Sequence, residues 1–204
     1  MKKIARRLII VILGLTIFFI ISYLWGRSFK SSIRPDLRTE LIEYCKNNGL
    51  SERYCIVVDY SIYSGKDRLF IVDLENNKIV YSSLCGHGIG KNYDCIVKPK
   101  FSNVTGSNYS SLGHFKLGTI RKTSKYNLNA IELRGLDSTN SNAYARGILI
   151  HDGLPNVKII GLPCLPISQG CFTVSSNTFK KIANIKTRSK KPMLIYSTYT
   201  SVFE

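Results

Sequence analysis

With 204 residues, 44% of them hydrophobic, and 15 glycines, the chain is sized for one domain with a substantial core, which excludes a disordered polymer. The formal net charge of +16 attracts polyanions such as lipid headgroups, nucleic acid or an anionic cell wall, and a merely solvated basic surface accounts for it equally well. No nucleic-acid motif accompanies the charge, so nucleic acid is not expected as a partner.

Lys2, Lys3, Arg6 and Arg7 precede an uncharged run of 18 residues, Leu8 to Trp25. As a helix this run rises about 27 Å, close to the hydrocarbon thickness of a bilayer. It reads as a membrane anchor or a cleavable signal peptide. A signal has a shorter apolar stretch and small residues at its cleavage site, whereas this run ends in Ser22-Tyr23-Leu24-Trp25, which favours the anchor. Arg27, Lys30, Arg34 and Arg38 follow the span and weaken the charge asymmetry. The N-terminal four sit tighter against it, so the expected topology is single-pass, with the body in the periplasm or cell exterior. Residues 1–25 hold four basic and no acidic side chains, leaving +12 for the rest.

Residues 27–34 read as a juxtamembrane linker. Pro35 opens an amphipathic helix to about Asn47, with Leu37, Leu41, Ile42 and Tyr44 near one face and Asn48-Gly49 as its stop. Cys55–Tyr60 is an apolar, β-branched strand. Arg68–Leu74 and Lys78–Leu84 flank Glu75-Asn76-Asn77 as a hairpin, and Gly86–Asn108 reads as loop. Shorter strands are expected at Gly113–Leu117, Ala130–Arg134 and Gly147–His151. Ser175 or Ser176 caps a helix that turns Phe179, Ile182 and Ile185 inward, and Met193–Ser197 is the last strand. The result is a mainly β domain, a compact sandwich or barrel with one or two short helices behind an N-terminal transmembrane helix. The division is 1–25 anchor or signal, 26–52 linker and helix, and 53–204 the main domain.

Six cysteines fit an oxidising compartment. Cys45–Cys55 and Cys85–Cys95 are each ten apart and could form local disulfides, leaving Cys164 and Cys171; buried free thiols are the alternative.

Chemistry concentrates between Ile148 and Val174. Cys171 directly follows Gly170 at the start of a strand, and His151 ends an earlier one. Thiol acyl transfer needs a base to raise the thiolate fraction, and a glycine lets main-chain N–H groups face a developing oxyanion. Taken alone, the pair reads more simply as a structural cysteine and a core histidine. The spacing shifts that reading: 16 residues separate His151 from Ser168-Gln169-Gly170-Cys171.

This pattern resembles the L,D-transpeptidase motif, a histidine followed at such a spacing by a Ser/Thr-His-Gly-Cys block. Further matches point to the murein L,D-transpeptidase catalytic-domain family: Arg68 to Leu74, His87-Gly88, Phe101-Ser102-Asn103, Gly106-Ser107, Ser110 to Gly113, Leu133 to Asp137, Asn140 to Ala143 and Arg146 to His151, in order over about residues 53–197. The resemblance implies a peptidoglycan enzyme in which Cys171 attacks a stem-peptide carbonyl and releases the terminal D-alanine. His151 then takes the thiol proton, its other nitrogen held by a backbone carbonyl such as that of Asp152, and Gly170 and Cys171 offer oxyanion N–H groups next to Ser168. An acceptor amine resolves the thioester; water in its place gives a carboxypeptidase. No cofactor or metal is implied, and a zinc site of His151, Cys164 and Cys171 lacks a closely spaced ligand pair. The sequence carries no signal for oligomeric state.

The chain departs from the family block in Gln169, in Ile167 where a basic residue is common, and in Phe172-Thr173, where Thr173 answers for a polar residue. These departures put substrate choice, more than the nucleophile, in question. Substrate contacts are expected from Gln169, Asp152, Asn103, Ser110, Ser111, Arg146 and His87, against turn formation for the serines and asparagine and a structural loop role for His87. Arg134 and Arg146 bind a substrate carboxylate or pair with Asp137 or Glu132; His114 is expected on the surface. A thiol peptidase or amidase, in which cysteine usually precedes histidine, and an inactive wall-binding module are the competing functions.

Overall fold

Alternate residues of the central strands serve two cores. The computed structural model describes residues 2–124, 126–155, 157–164 and 168–203. Among these residues there are three helices, α1 (Lys2–Gly26), α2 (Pro35–Asn47) and α3 (Ser176–Arg188), and eight strands. The strands are β1 (Tyr54–Asp59), β2 (Leu69–Asp73), β3 (Lys78–Ser83), β4 (Gly113–Lys122), β5 (Asn129–Gly135), β6 (Leu149–His151), β7 (Phe172–Thr173) and β8 (Leu194–Thr198). They form a single curled, half-barrel sheet in the order β3-β2-β1-β8-β4-β5-β6-β7. It is mixed: β1 runs parallel to β8 and β6 parallel to β7, and the other neighbours are antiparallel.

Ile56, Val58, Leu69, Ile71 and Ile195 turn to one face and pack with Phe115, Phe172 and the α3 residues Phe179 and Ile182. Their neighbours Cys55, Val57, Phe70, Val72 and Leu194 turn to the other and meet Leu37, Leu41 and Cys45 of α2. Burial on both faces explains why β1 and β2 read as unbroken apolar runs. Each such side chain contributes about 1.5–3 kcal/mol. Ser175 is the N-cap of α3, accepting from Thr178 N at 3.2 Å.

Three expectations change. β4 continues five residues beyond Leu117; the register slips between Leu117 and Ile120, so Gly118-Thr119 bulges and masks the alternation. All six cysteines are free, five of them buried and Cys171 partly so, and neither local disulfide is formed. His114 is not a surface residue: it lies between the rings of Tyr44 and Tyr196, centroids 3.8 and 4.7 Å away, and its Nδ1 is 2.8 Å from Asp137 Oδ2.

α1 is long and apolar enough to cross a membrane, with a mean hydropathy of 2.7 over its best window. Its end is docked on the body. Asp67 N donates to the Gly26 carbonyl at 2.7 Å, and the Trp25 ring meets Tyr63 edge-on at 5.9 Å. Lys158 Nζ lies 5.2 Å from the centre of the Tyr23 ring and 2.7 Å from Asp67, with the two side chains only 7% and 2% exposed.

Candidate active site

The far edge of the sheet brings together residues twenty apart in the chain. β6 and β7 run parallel with Ile150 opposite Phe172 and His151 opposite Thr173. Ile150 and Phe172 are fully buried in the α3-side core. Because strand side chains alternate, Leu149, His151, Cys171 and Thr173 turn to the other face, where His151 and Cys171 are partly exposed. Strand spacing and rise put the two α-carbons about 8 Å apart, one diagonal step across the pair.

His151 Nδ1 lies 2.6 Å from the Asp152 carbonyl oxygen. A carbonyl only accepts, so Nδ1 carries the proton and Nε2 is the free base. The Asp152 carboxylate fixes this turn: it accepts from Asn129 N at 2.9 Å and from Asn129 Nδ2 at 2.5 Å. The thiol rests away from the imidazole. Cys171 Sγ accepts from Leu149 N at 3.4 Å and donates to the Gly147 carbonyl at 3.7 Å; among the described residues it makes no hydrogen bond to His151. Burial pushes the Cys171 thiol above its ordinary value, while the Leu149 N–H and the Arg146 charge pull it down. The resting Cys171 side chain is therefore a thiol.

The turn before Cys171 is stapled from two sides. Ser168 Oγ donates to the Cys171 carbonyl at 2.6 Å and accepts from Gly170 N at 3.2 Å. Ser110 Oγ accepts from Gly88 N at 2.9 Å and donates to the Gly170 carbonyl at 3.2 Å. Gly170 has φ +113°, and a β-carbon there would stand 2.8 Å from both the Tyr109 carbonyl and Ile148 Cδ1, so only glycine fits. Since the Gly170 N–H is spent on Ser168, the main-chain donor left for an oxyanion is the Cys171 N–H, which makes no hydrogen bond among the described residues.

Residues 32–196 match the family described as L,D-transpeptidase catalytic domain. The chain belongs to that family. Membership gives the L,D-transpeptidase domain a peptidoglycan-related function. No curated protein sequence matches significantly. Similar solved structures include the helical cell shape determining protein Pgp2 of Campylobacter jejuni, at 10% identity and TM-score 0.47 over 80% of this chain and 56% of that one. An L,D-transpeptidase from Mycobacterium smegmatis aligns at 11% identity and TM-score 0.43 over 72% of this chain and 58% of the other. The chain spans a little over half the length of these proteins.

Within this L,D-transpeptidase domain several polar residues expected at the substrate are engaged elsewhere. Arg146 pairs with neither Asp137 nor Glu132. Its guanidinium donates to the Ser102 and Tyr109 carbonyls, both at 2.6 Å, to Ser111 Oγ at 2.7 Å and to Ser107 Oγ at 3.3 Å, clamping the 101–111 loop beside Gly170. Asp137 holds His114, Glu132 holds Arg121, and Arg134 sits over Tyr144. Ser111 and Ser110 are fully buried. Asn103 ties its loop to Ser138, Ser141 and Asn142. The Asp152 side chain is buried on Asn129, so its link to the site is through its carbonyl.

His87 does not line the site. It is fully buried, with Nδ1 accepting from Arg68 at 2.7 Å and Nε2 donating to the Cys95 carbonyl at 2.5 Å. Burial first, then the Arg68 charge, lowers its pKa to about 4 and keeps it neutral. Its carbonyl accepts from Ser168 N at 3.0 Å, so His87 supports the turn before Cys171 from behind. Gln169 is exposed beside Cys171 and remains available to a ligand; Ile167 lies outside the described residues. Thr173 Oγ1, opposite His151, is buried with no partner among the described residues. Sequence reading missed Asn129 and Arg68. A charged residue opening the apolar run Leu69–Asp73 was the signal for Arg68.

Proposed function

We propose that the chain is a membrane-anchored peptidoglycan L,D-transpeptidase, with residues 53–204 as its catalytic domain outside the membrane, that works through a Cys171 thioester on stem peptides. The observation that carries this reading is the parallel pairing of β6 with β7, which sets His151 one diagonal step from Cys171. Rotation about the Cys171 side chain swings the sulfur from the Gly147 carbonyl toward His151 Nε2. The imidazole takes the thiol proton as sulfur bonds to the scissile carbonyl carbon, and the Cys171 N–H faces the developing oxyanion. The peptide C–N bond then breaks, and the proton passes from His151 to the departing D-amino acid amine. An amine of a second stem peptide attacks the thioester, returns its proton through His151 and restores the thiol. Gln169, the exposed residue beside the nucleophile, is the side chain best placed to contact the stem peptide. Anchoring rests on the basic flank and the apolar length of α1.

Incubation of the detergent-solubilised full chain with a disaccharide-tetrapeptide, followed by mass spectrometry, tests the assignment. The expected product is a cross-linked dimer lacking one D-alanine. Trimmed tripeptide without dimer assigns a carboxypeptidase instead, and an acyl adduct that persists in Cys171→Ala overturns the nucleophile.

A further inference from the structure

One stripe of α3 borders a groove and carries Lys181 and Arg188. Lys181, Asn184, Ile185 and Arg188 stand at i, i+3, i+4 and i+7, and all four line an open groove of about 970 Å³ between α3 and strands β1 to β3. Arg53, just before β1, and Lys190 and Lys191, just past α3, extend the rim. The lining thus holds five cations against one acid, Glu52, which is paired with Lys191 at 2.8 Å. Its floor is apolar, formed by Ile71, Ile185 and Tyr81. Neither His151 nor Cys171 nor any residue between them lines it, so the groove is separate from the catalytic pair.

We propose that this groove binds a flexible, phosphodiester-linked polyanion that carries no nucleobases. Lys181 and Arg188 are seven residues apart on the helix, about 10 Å along its axis. One phosphate cannot neutralise both, whereas a chain with repeated charges can. A recessed groove admits a chain and excludes the flat surface of a bilayer. The tyrosine faces are already covered, Lys181 Nζ lying 4.9 Å from the Tyr81 centroid and Arg53 5.1 Å from that of Tyr54. Nucleobases therefore find no bare stacking platform. Charge complementarity selects the ligand, and the inference stands apart from the transpeptidase reading.

Fluorescence anisotropy of labelled poly(glycerol phosphate) with the detergent-solubilised full chain tests it. Affinity should fall linearly with salt on a log–log plot, and a Lys181→Glu/Arg188→Glu/Lys190→Glu variant should bind about tenfold or more weakly, with a shallower salt slope. A Lys91→Glu/Lys98→Glu/Lys122→Glu variant carries the same change in net charge away from the groove and should bind nearly as the parent does. Equal losses in the two variants overturn the site in favour of a general field. Tighter binding of oligothymidylate, or displacement by short-chain phosphatidylglycerol at lower concentration, overturns the choice of polymer. Melting temperature and the Cys171 alkylation rate should match the parent in both variants; where the glutamate set melts lower, the same three positions as glutamine carry the test.

Discussion

Arg146→Met separates two roles for the arginine beside Cys171. If the guanidinium acts on a substrate carboxylate, its loss raises KM and leaves the fold unchanged. Its four hydrogen bonds to the 101–111 loop predict otherwise. A hydrogen bond to a charged group is worth about 1.5–3 kcal/mol net, but here the loop is half-open, so water replaces part of each bond. A total of about 3–5 kcal/mol is expected, the range seen when one partner of a buried charged network is removed. For a domain of this size each kcal/mol moves Tm by about 2–4 °C, giving a fall of about 6–20 °C. Loss of the cation also removes one of the two influences that lower the Cys171 pKa, so its alkylation profile should move to higher pH. Calorimetry, hydrogen exchange over residues 101–111 and iodoacetamide kinetics against pH measure the three effects. A variant that melts within about 2 °C of the parent, with unchanged exchange and a raised KM, would refute the clamp and restore a substrate role.

Replacing His151 with alanine removes the proposed base, and acylation of Cys171 by a carbapenem should slow about 10²–10⁴-fold in stopped-flow assays. The buried thiols predict alkaline sensitivity. Burial raises Cys45 and Cys164 to about 11 and Cys85 to about 12 from an ordinary 9.0. The unfolded chain then loses those protons first, and stability should fall as pH rises from about 9 toward 11, by urea titration, at up to about 1.4 kcal/mol per pH unit per thiol. A flat profile, or a fall only on adding reductant, would point to disulfides. His87 has the opposite sense: its folded pKa of about 4 lies below the ordinary 6.5, so its contribution is intact above 6.5 and lost as pH falls toward 4. That contribution is up to about 3 kcal/mol, and His87→Gln should flatten this acid limb.

Legibility followed locality. β1, β2, the hairpin at 75–77 and the Ser175 cap are written in short runs, because apolar alternation, turn residues and caps act within a few positions. Asn77 takes φ +46° in that turn, as its asparagine suggests. β7 could not be seen in the same way: it has two residues, and its pairing with β6 forms across a long crossover. The aromatic sandwich on His114 draws on residues 44, 137 and 196, which no window of sequence joins. At the site, motif spacing singled out Cys171 and His151. The jobs of Asn103, Ser110 and Ser111 were hidden because serine and asparagine serve turns, staples and ligands alike.

The sequence changes composition at residue 25, but the contacts run across that line. Among the described residues the crossover from His151 to Cys171 is held at its start, at its end and between them. At its start, Asn129 grips Asp152 and thereby the imidazole. At its end, Ser168 closes the turn on the Cys171 carbonyl. Between them the segment 158–164 rests on the 63–67 turn: Tyr63 OH donates to the Gly161 carbonyl at 2.8 Å, and Cys164 N donates to Ser64 Oγ at 3.2 Å. That same turn receives the end of α1 through Trp25 and Gly26, with the buried Lys158–Asp67 pair between them. A β-carbon on Gly26 would stand 2.7 Å from Lys158 Cδ, so close docking depends on that glycine. Breaking one partner of that pair, which joins the crossover to the 63–67 turn, costs about 3–5 kcal/mol, and the end of the apolar helix packs on both of its residues. The helix that is able to anchor the chain thus also rests against the backbone leading from His151 to Cys171.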